Sequence, residues 1–199
     1  MGRPWRVHSG GVVPATSQVD DVPDVLDLES IHDLHADFVW CSLQRLGVRP
    51  ADLEDALQEV FVVVYRKLAS FDGSSRLTTW LFGISMRVAS AYRRKAYRRR
   101  ERTVVDMEAT AGASPFDGPE DALVERQSRQ RLTEVLDELE PARRAIFVMF
   151  EIESIGCPEI AEQLGLPIGT VYSRLGAARV DFSKAAARLR RREEAGHGR

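Results

Sequence analysis

The sequence predicts an all-α protein of two small helical domains joined by a flexible linker. Three features carry that prediction. Apolar residues recur at helical spacing along most of the chain, with no alternating strand pattern and no internal repeat. A break containing Gly112, Ser114, Pro115, Gly118 and Pro119 separates the periodic segments into two groups. Near the C-terminus, Cys157 to Phe182 has the spacing of two short-coupled helices around Gly165.

The elements follow in order. Residues 1–23 carry Gly, Pro, Ser and Thr without periodicity and read as a flexible lead-in. The N-terminal domain then covers 24–102. Its first helix runs over Val25 to Leu46 on Leu28, Ile31, Leu34 or His35, Phe38 and Val39, and stops at Gly47. Asp52 is placed to cap a second helix, whose stripe is Leu53, Leu57, Val60, Phe61, Val64 and Leu68. A third helix starts at Thr78 or Thr79, with Leu81, Ile84, Val88 and Tyr92 inward and Gly83, Arg87, Ser90 and Arg94 on the opposite face. The linker is 103–119. The C-terminal domain covers 120–192, with one helix to about Glu138, another from Pro141 to roughly Ile152, then the Cys157–Phe182 pair; 193–199 is a tail.

Composition narrows the class. With 199 residues, 44% hydrophobic and 29% charged, the chain fits a globular protein rather than a disordered or membrane one. No apolar run approaches the roughly 20 residues a membrane span needs, and no secretory h-region follows Met1, so no membrane insertion and a cytoplasmic location are expected. Cys41 and Cys157 are expected to be free thiols. The net charge of −2 conceals segregation. Asp20 to Asp37 is purely acidic, Arg76 to Arg102 strongly basic, Thr103 to Glu140 acidic again, and Arg174 to Arg192 basic.

The C-terminal pair has the pattern of a helix-turn-helix. Ile160, Ala161 and Leu164 form a short inward face, Gly165 the turn, and Leu166 and Val171 complete the small core. The second helix has the inner stripe Val171, Leu175, Ala178 and Phe182, and presents Thr170, Ser173, Arg174 and Ala177 on its other face, as a helix entering a major groove N-terminus first would. The extension with Arg179, Lys184, Arg188 and Arg190 to Arg192 is expected to add phosphate contacts. His32, His35 and Cys41 do not have the spacing of a recognised metal site, and neither a Gly-rich phosphate loop nor a nucleophile constellation occurs. No metal, no cofactor and no enzymatic activity are expected.

Taken together, Asp52-Leu-Glu-Asp-Ala-Leu-Gln-Glu-Val-Phe, Phe71-Asp-Gly-Ser-Ser-Arg-Leu-Thr-Thr-Trp-Leu-Phe-Gly-Ile and Glu140-Pro-Ala-Arg-Arg-Ala-Ile-Phe ahead of the helix-turn-helix resemble the extracytoplasmic-function (ECF) sigma factors of the sigma-70 family. The resemblance covers about Leu28 to Leu189. It implies a region 2-like domain followed by a region 4-like domain, and a subunit that directs promoter-specific transcription initiation.

It also implies roles for residues. Asp55, Gln58 and Glu59 match the face that binds core RNA polymerase at the β′ clamp helices, and the C-terminal domain would meet the β flap. Arg76, Trp80, Arg87, Ser90, Arg94 and Lys95 match the surface at the −10 element, Trp80 through packing or through a base contact. Thr170, Tyr172, Ser173, Arg174 and Arg179 match the −35 reading surface. The family further implies promoter DNA and an anti-sigma factor as partners. Arg87 stands where relatives often have Asn, and Gly176 and Ala177 stand where bulky or basic residues are frequent, so promoter preference does not carry over.

Overall fold

A computed structural model describes residues 27–102 and 122–197, and the side-chain surroundings of 27–99 and 127–195. The N-terminal segment 1–23 and the linker 103–119 lie outside the described residues. Those that are described form seven α-helices, with no strand among them.

The first helix, α1 (Leu28–Arg45), begins where Asp27 accepts hydrogen bonds from the Ser30 amide at 2.7 Å and the Ser30 hydroxyl at 3.2 Å. Those bonds hold the Asp27 carboxyl below its usual range. The helix ends in a turn through Gly47, whose φ of +85° is a conformation side chains resist. The periodicity left Leu34 and His35 as alternatives for one core position. His35 takes it, at 1% exposure, while Leu34 is 55% exposed.

A 3-10 turn, Pro50–Asp52, leads into α2 (Leu53–Lys67). Asp52 occupies the N-cap position but makes no capping bond. Its carboxylate is drawn instead to Arg49, at 2.9 and 2.7 Å, and to Arg99 at 3.4 Å, because charge-assisted bonds outcompete a neutral amide. Helix α2 buries Leu53, Ala56, Leu57, Val60, Phe61 and Val64, the expected stripe with one small residue added. A second 3-10 turn, Leu68–Ser70, precedes α3 (Leu77–Arg102), which packs on both α1 and α2.

The C-terminal unit comprises α4 (Ala122–Asp137), α5 (Pro141–Phe147), a π-turn (Val148–Ile152), α6 (Cys157–Leu164) and α7 (Ile168–His197). Glu140 caps α5 by accepting from the amides of Ala142 and Arg143, both at 3.1 Å, with Pro141 in the first turn where its missing N–H costs nothing. Phe147 stacks on Phe182 of α7, centroids 4.6 Å apart. Ile160, Val171, Leu175 and Ala178 are buried beneath the helix-turn-helix, each full-sized aliphatic among them stabilising the fold by roughly 1.5–3 kcal/mol.

The two units share one continuous core. Helix α1 meets α4, and polar bonds join α3 to α6 and α1 to α5. Helix α3 is enclosed over more of its surface than its expected stripe. Phe82, Gly83, Ser85 and Ala89 are buried along with the expected Leu81, Ile84 and Val88. Gly83, which periodicity sets on the outward face with Arg87, lies under Gln163 of α6.

Candidate nucleic-acid interface

Three helical surfaces carry the sequence-derived site residues. On α2, Asp55, Gln58 and Glu59 are all exposed, opposite the buried stripe. Val62, 46% exposed, and Tyr65, 70% exposed, prolong that face at helical spacing. Sequence reasoning missed them because large apolar residues in a helix default to the core. Their offset from the Val60–Phe61–Val64 stripe was the available signal. Glu59 also accepts a hydrogen bond from Tyr92 of α3; burial first, then Glu59, raises that phenol above its ordinary range.

On α3, the N-terminal turn sets Trp80 half-buried against Phe71, ring centroids 5.0 Å apart and tilted by 46°. That contact packs Trp80 on the segment leading into α3. Arg76 is exposed one turn earlier and its carbonyl accepts from the Trp80 amide at 3.0 Å. Arg87, Arg94 and Lys95 are exposed, and Ser90 is half-buried between them. Arg94 donates to the Ser90 hydroxyl at 2.8 Å, and the Lys95 ammonium lies 5.6 Å from the Tyr92 ring centroid. Arg87, Ser90 and Arg94 are thus brought together along one face, with Lys95 at its edge.

On the helix-turn-helix, α6 closes at Gly165 with φ +62°, its amide bonding the carbonyl of Glu162 at 3.1 Å while Leu166 bonds Ala161 at 2.9 Å. The left-handed residue lets the chain reverse within three positions and begin α7 at Ile168. Tyr172, at 57% exposure, and Ser173 point outward from the first turns of α7, and Thr170 and Arg174 are half-buried beside them. Helix N-termini concentrate free amides and positive potential, which suits a phosphate backbone.

Arg179 differs from the other four. Its guanidinium donates to Glu151 at 2.6 Å and sits 5.2 Å from the Phe150 ring, so its charge already has an internal partner. The same holds further along the extension, where Arg188 donates to Glu138. Elsewhere, burial and Asp37 push the Cys41 thiol up to about 11, leaving it protonated at neutral pH.

Family models match in the order the two domains suggest: sigma-70 region 2 over residues 31–99 and sigma-70 region 4 over residues 129–181. The ECF RNA polymerase sigma-E factor of Escherichia coli strain K12 is 31% identical over 144 residues, covering 69% of this chain and 75% of that protein. The RNA polymerase sigma factor CnrH of Cupriavidus metallidurans is 30% identical over 145 residues, 70% of this chain and 76% of its own. Among solved structures, the sigma factor RpoE of Bartonella quintana, in complex with the anti-sigma factor NepR, superposes with a TM-score of 0.63 at 23% identity, covering 81% of this chain and 97% of that one. CnrH in complex with the cytosolic domain of CnrY superposes with a TM-score of 0.56 at 22% identity, covering 79% and 85%. Both likenesses concern the fold. With two ordered region matches and this level of identity across most of the paired helices, the chain belongs to the ECF sigma factors of the sigma-70 family and acts in transcription initiation.

Proposed function

We propose that the protein is a promoter-specificity subunit that docks on core RNA polymerase through α2, reads −35 duplex with the first turns of α7, and captures opened −10 DNA along α3. The observation that carries this reading is that Arg87, Arg94 and Lys95 of α3 are exposed and make no ion pair with any carboxylate among the described residues. Cations left without a carboxylate on one helical face, next to a half-buried tryptophan, form the electrostatic groove and stacking platform that a single strand requires. On α7, short Thr170 and Ser173 beside Arg174 leave room for the helix to enter a major groove, with Tyr172 at its edge.

The α2 face supplies the polymerase contact. Asp55 and Glu59 offer carboxylates, Gln58 a neutral hydrogen-bonding group, and Val62 and Tyr65 apolar area that water otherwise covers. The β′ clamp helices take this surface, and the β flap takes the C-terminal unit. Strand opening draws on the free energy of binding unstacked bases and polymerase, so the chain acts by binding rather than catalysis. Such partners place it in the cytoplasm, and no helix among the described residues is long and apolar enough to cross a membrane. An anti-sigma factor is the natural antagonist. Two structurally similar sigma factors were solved with CnrY and with NepR, and a comparable partner would cover the surfaces named here.

Transcription by purified core polymerase on a randomised promoter library tests the reading. The protein is expected to support initiation and to select two sequence elements. Arg174→Ala is expected to relax selection at the upstream element by about 1–3 kcal/mol while leaving the downstream one intact. Tight sequence-specific binding to duplex in the absence of core polymerase would point instead to a self-sufficient helix-turn-helix regulator.

A further inference from the structure

Helix α2 carries an exposed face whose chemistry changes in order along its length. Glu54, Asp55 and Glu59 make the N-terminal end acidic, Val62 and Tyr65 make the middle apolar, and Arg66 and Lys67 make the C-terminal end basic. All of them are exposed, and none of the charges has an ion-pair partner among the described residues. Single exposed aliphatics are ordinary on a protein surface, but two large apolar side chains one turn apart, bracketed by opposite charges, select for a partner. Read in the same direction as α2, that partner is basic first, apolar next and acidic last.

The chain itself carries this order ahead of α1. Arg3 and Arg6 come first, flanking Trp5, and no carboxylate occurs before Asp20. Val7, Val12 and Val13 follow the arginines, and Asp20, Asp21 and Asp24 close the stretch. The sequence of basic, apolar and acidic groups is the complement of the α2 face, position by position along the helix.

The point of attachment agrees with that direction. Residues 1–26 join the described chain at Asp27, the N-cap of α1. Helix α1 packs on α2, and the ring of His32, near the start of α1, lies 4.7 Å from that of Phe61 in the second half of α2. The stretch therefore enters beside the basic end of the face, with its three aspartates nearest. From Lys67 back to Asp55 the face is about 18 Å long at 1.5 Å per residue. Asp24 back to Arg3 can span up to roughly 70 Å, so reach is not limiting. A tether of this length sets an effective concentration on the order of millimolar, at which a weak contact is already populated. Residues 103–121 fit the face poorly. They leave α3 near its acidic end, where Arg99 lies 3.4 Å from Asp52, and they hold carboxylates and no cation.

We propose that residues 3–24 of this chain lie along the outer face of α2, Arg3 and Arg6 on Asp55 and Glu59, the tryptophan and valines on Val62 and Tyr65, and the aspartates on Arg66 and Lys67, and that they compete there with core polymerase. The competition rests on the polymerase-docking reading of α2 above; the docked segment does not. Exposed ion pairs are individually weak and screened by salt, so the tether and the apolar middle hold the segment in place. A larger surface presented to the same face displaces it.

A photo-cross-linking side chain in place of Val62, in the full chain, reads the contact. Illumination is expected to join position 62 to residues 3–13 within one molecule. The yield is expected to fall severalfold in an Arg3→Glu/Arg6→Glu chain, and to fall as salt rises. Cross-links to another segment, cross-links only between two copies, or a yield indifferent to the charge reversal would overturn the docked segment. Affinity for core polymerase is then measured for wild type and for Arg3→Glu/Trp5→Ala/Arg6→Glu, whose changes lie outside α2, α3 and α7. The variant is expected to bind severalfold more tightly, with the difference shrinking at high salt. Equal affinities alongside an intact wild-type cross-link would overturn the competition and leave the docked segment. Failure of both chains to bind core polymerase would overturn the docking reading of α2, with the cross-linking result still in force.

Discussion

Helices α3 and α7 look alike as sequences, each opening on small polar residues and closing on a run of arginines, yet the fold disposes of their charges in opposite ways. Along α7 the cations meet carboxylates: Arg179 with Glu151, and Arg188 with Glu138. Its own Asp181 and Glu193 meet Arg143 of α5 and Arg131 of α4, each at 2.7 Å. Along α3, Arg94 turns to its neighbour Ser90, Arg93 to the carbonyl of Leu46, and Arg87 to no carboxylate among the described residues. The acidic stretch before α5 supplies Glu138 to the basic stretch of α7. On α3, Arg99 reaches Asp52 at 3.4 Å, but Arg87, Arg94 and Lys95 meet no carboxylate among the described residues. A basic run in a sequence therefore gives the position of positive charge and not its availability. Helical rise adds a second limit, because Arg188 stands about 27 Å along the axis from Thr170. The phosphate contacts expected of the α7 extension face both this distance and its internal partners.

The largest expected effect breaks the comparison directly. Replacing Arg87, Arg94 and Lys95 together by alanine is expected to reduce the salt dependence of −10 strand capture by about 2 units of log–log slope, given a slope near −0.7 per phosphate neutralised on single strands. The matched change of Arg179 and Arg188 is expected to leave the slope nearly intact. Holoenzyme affinity for a −10 single-stranded oligonucleotide, measured across salt concentrations, decides it. Equal loss of slope in the two variants would mean that DNA displaces Glu151 and Glu138, and the contrast between the helices would collapse.

A second effect separates the two units by pH. His35 is buried in α1, neither ring nitrogen has a hydrogen-bond partner among the described residues, and burial lowers its pKa below the ordinary 6.5. A histidine with a depressed folded value contributes stability above its unfolded pKa and loses it as pH falls through that value towards the folded one. Acidification below about pH 6.5 is therefore expected to weaken the N-terminal unit. Glu153 has the opposite sign. Burial raises its carboxyl, with Arg45 opposing, so the cost of burying it is relieved as pH falls towards its folded value. His35→Leu is expected to stabilise the chain by about 1 kcal/mol at pH 7, through relief of unsatisfied polar atoms, and by more at pH 5. Thermal unfolding of the two chains across that range measures it. A parallel pH dependence in wild type and variant would remove His35 as the acid-sensitive group.

Much of this was legible in the sequence, and the misses share a cause. The helix-turn-helix could be read because a left-handed glycine between two short apolar stripes admits few other structures. The exposed polar face of α2 could be read because Asp55, Gln58 and Glu59 sit opposite an unbroken stripe. Periodicity, however, ranks the faces of one helix and does not say which face another domain will meet. Gly83 falls on the outward face for that reason, and nothing in the periodicity marks Gln163, Arg144 or Glu153 as partners of the other unit. Asp52 kept its cap position but not its bond, since Arg99 lies 47 residues away in the chain and local pattern cannot anticipate it. His35 and Leu34 are adjacent and equally placed by period, and only the tertiary packing, which buries His35 and leaves Leu34 exposed, chooses between them.

The smallest expected effect tests whether α7 is neutralised by its partners or merely decorated by them. The Arg188 and Glu138 side chains are 45% and 32% exposed, so solvent screens the pair and its net worth is small. Arg188→Ala is expected to lower stability by about 0.2–1 kcal/mol at low salt, with the difference vanishing as salt rises. Glu138→Ala alone is expected to cost a similar amount, and the double variant no more than either single change, because one interaction is lost once. Chemical denaturation of the four chains at two salt concentrations gives the coupling. A coupling of zero at low salt would mean that Arg188 is held by packing of its aliphatic stem rather than by Glu138. Its charge would then be as available to a phosphate as those of α3, and the difference between the two helices would shrink to Arg179 alone.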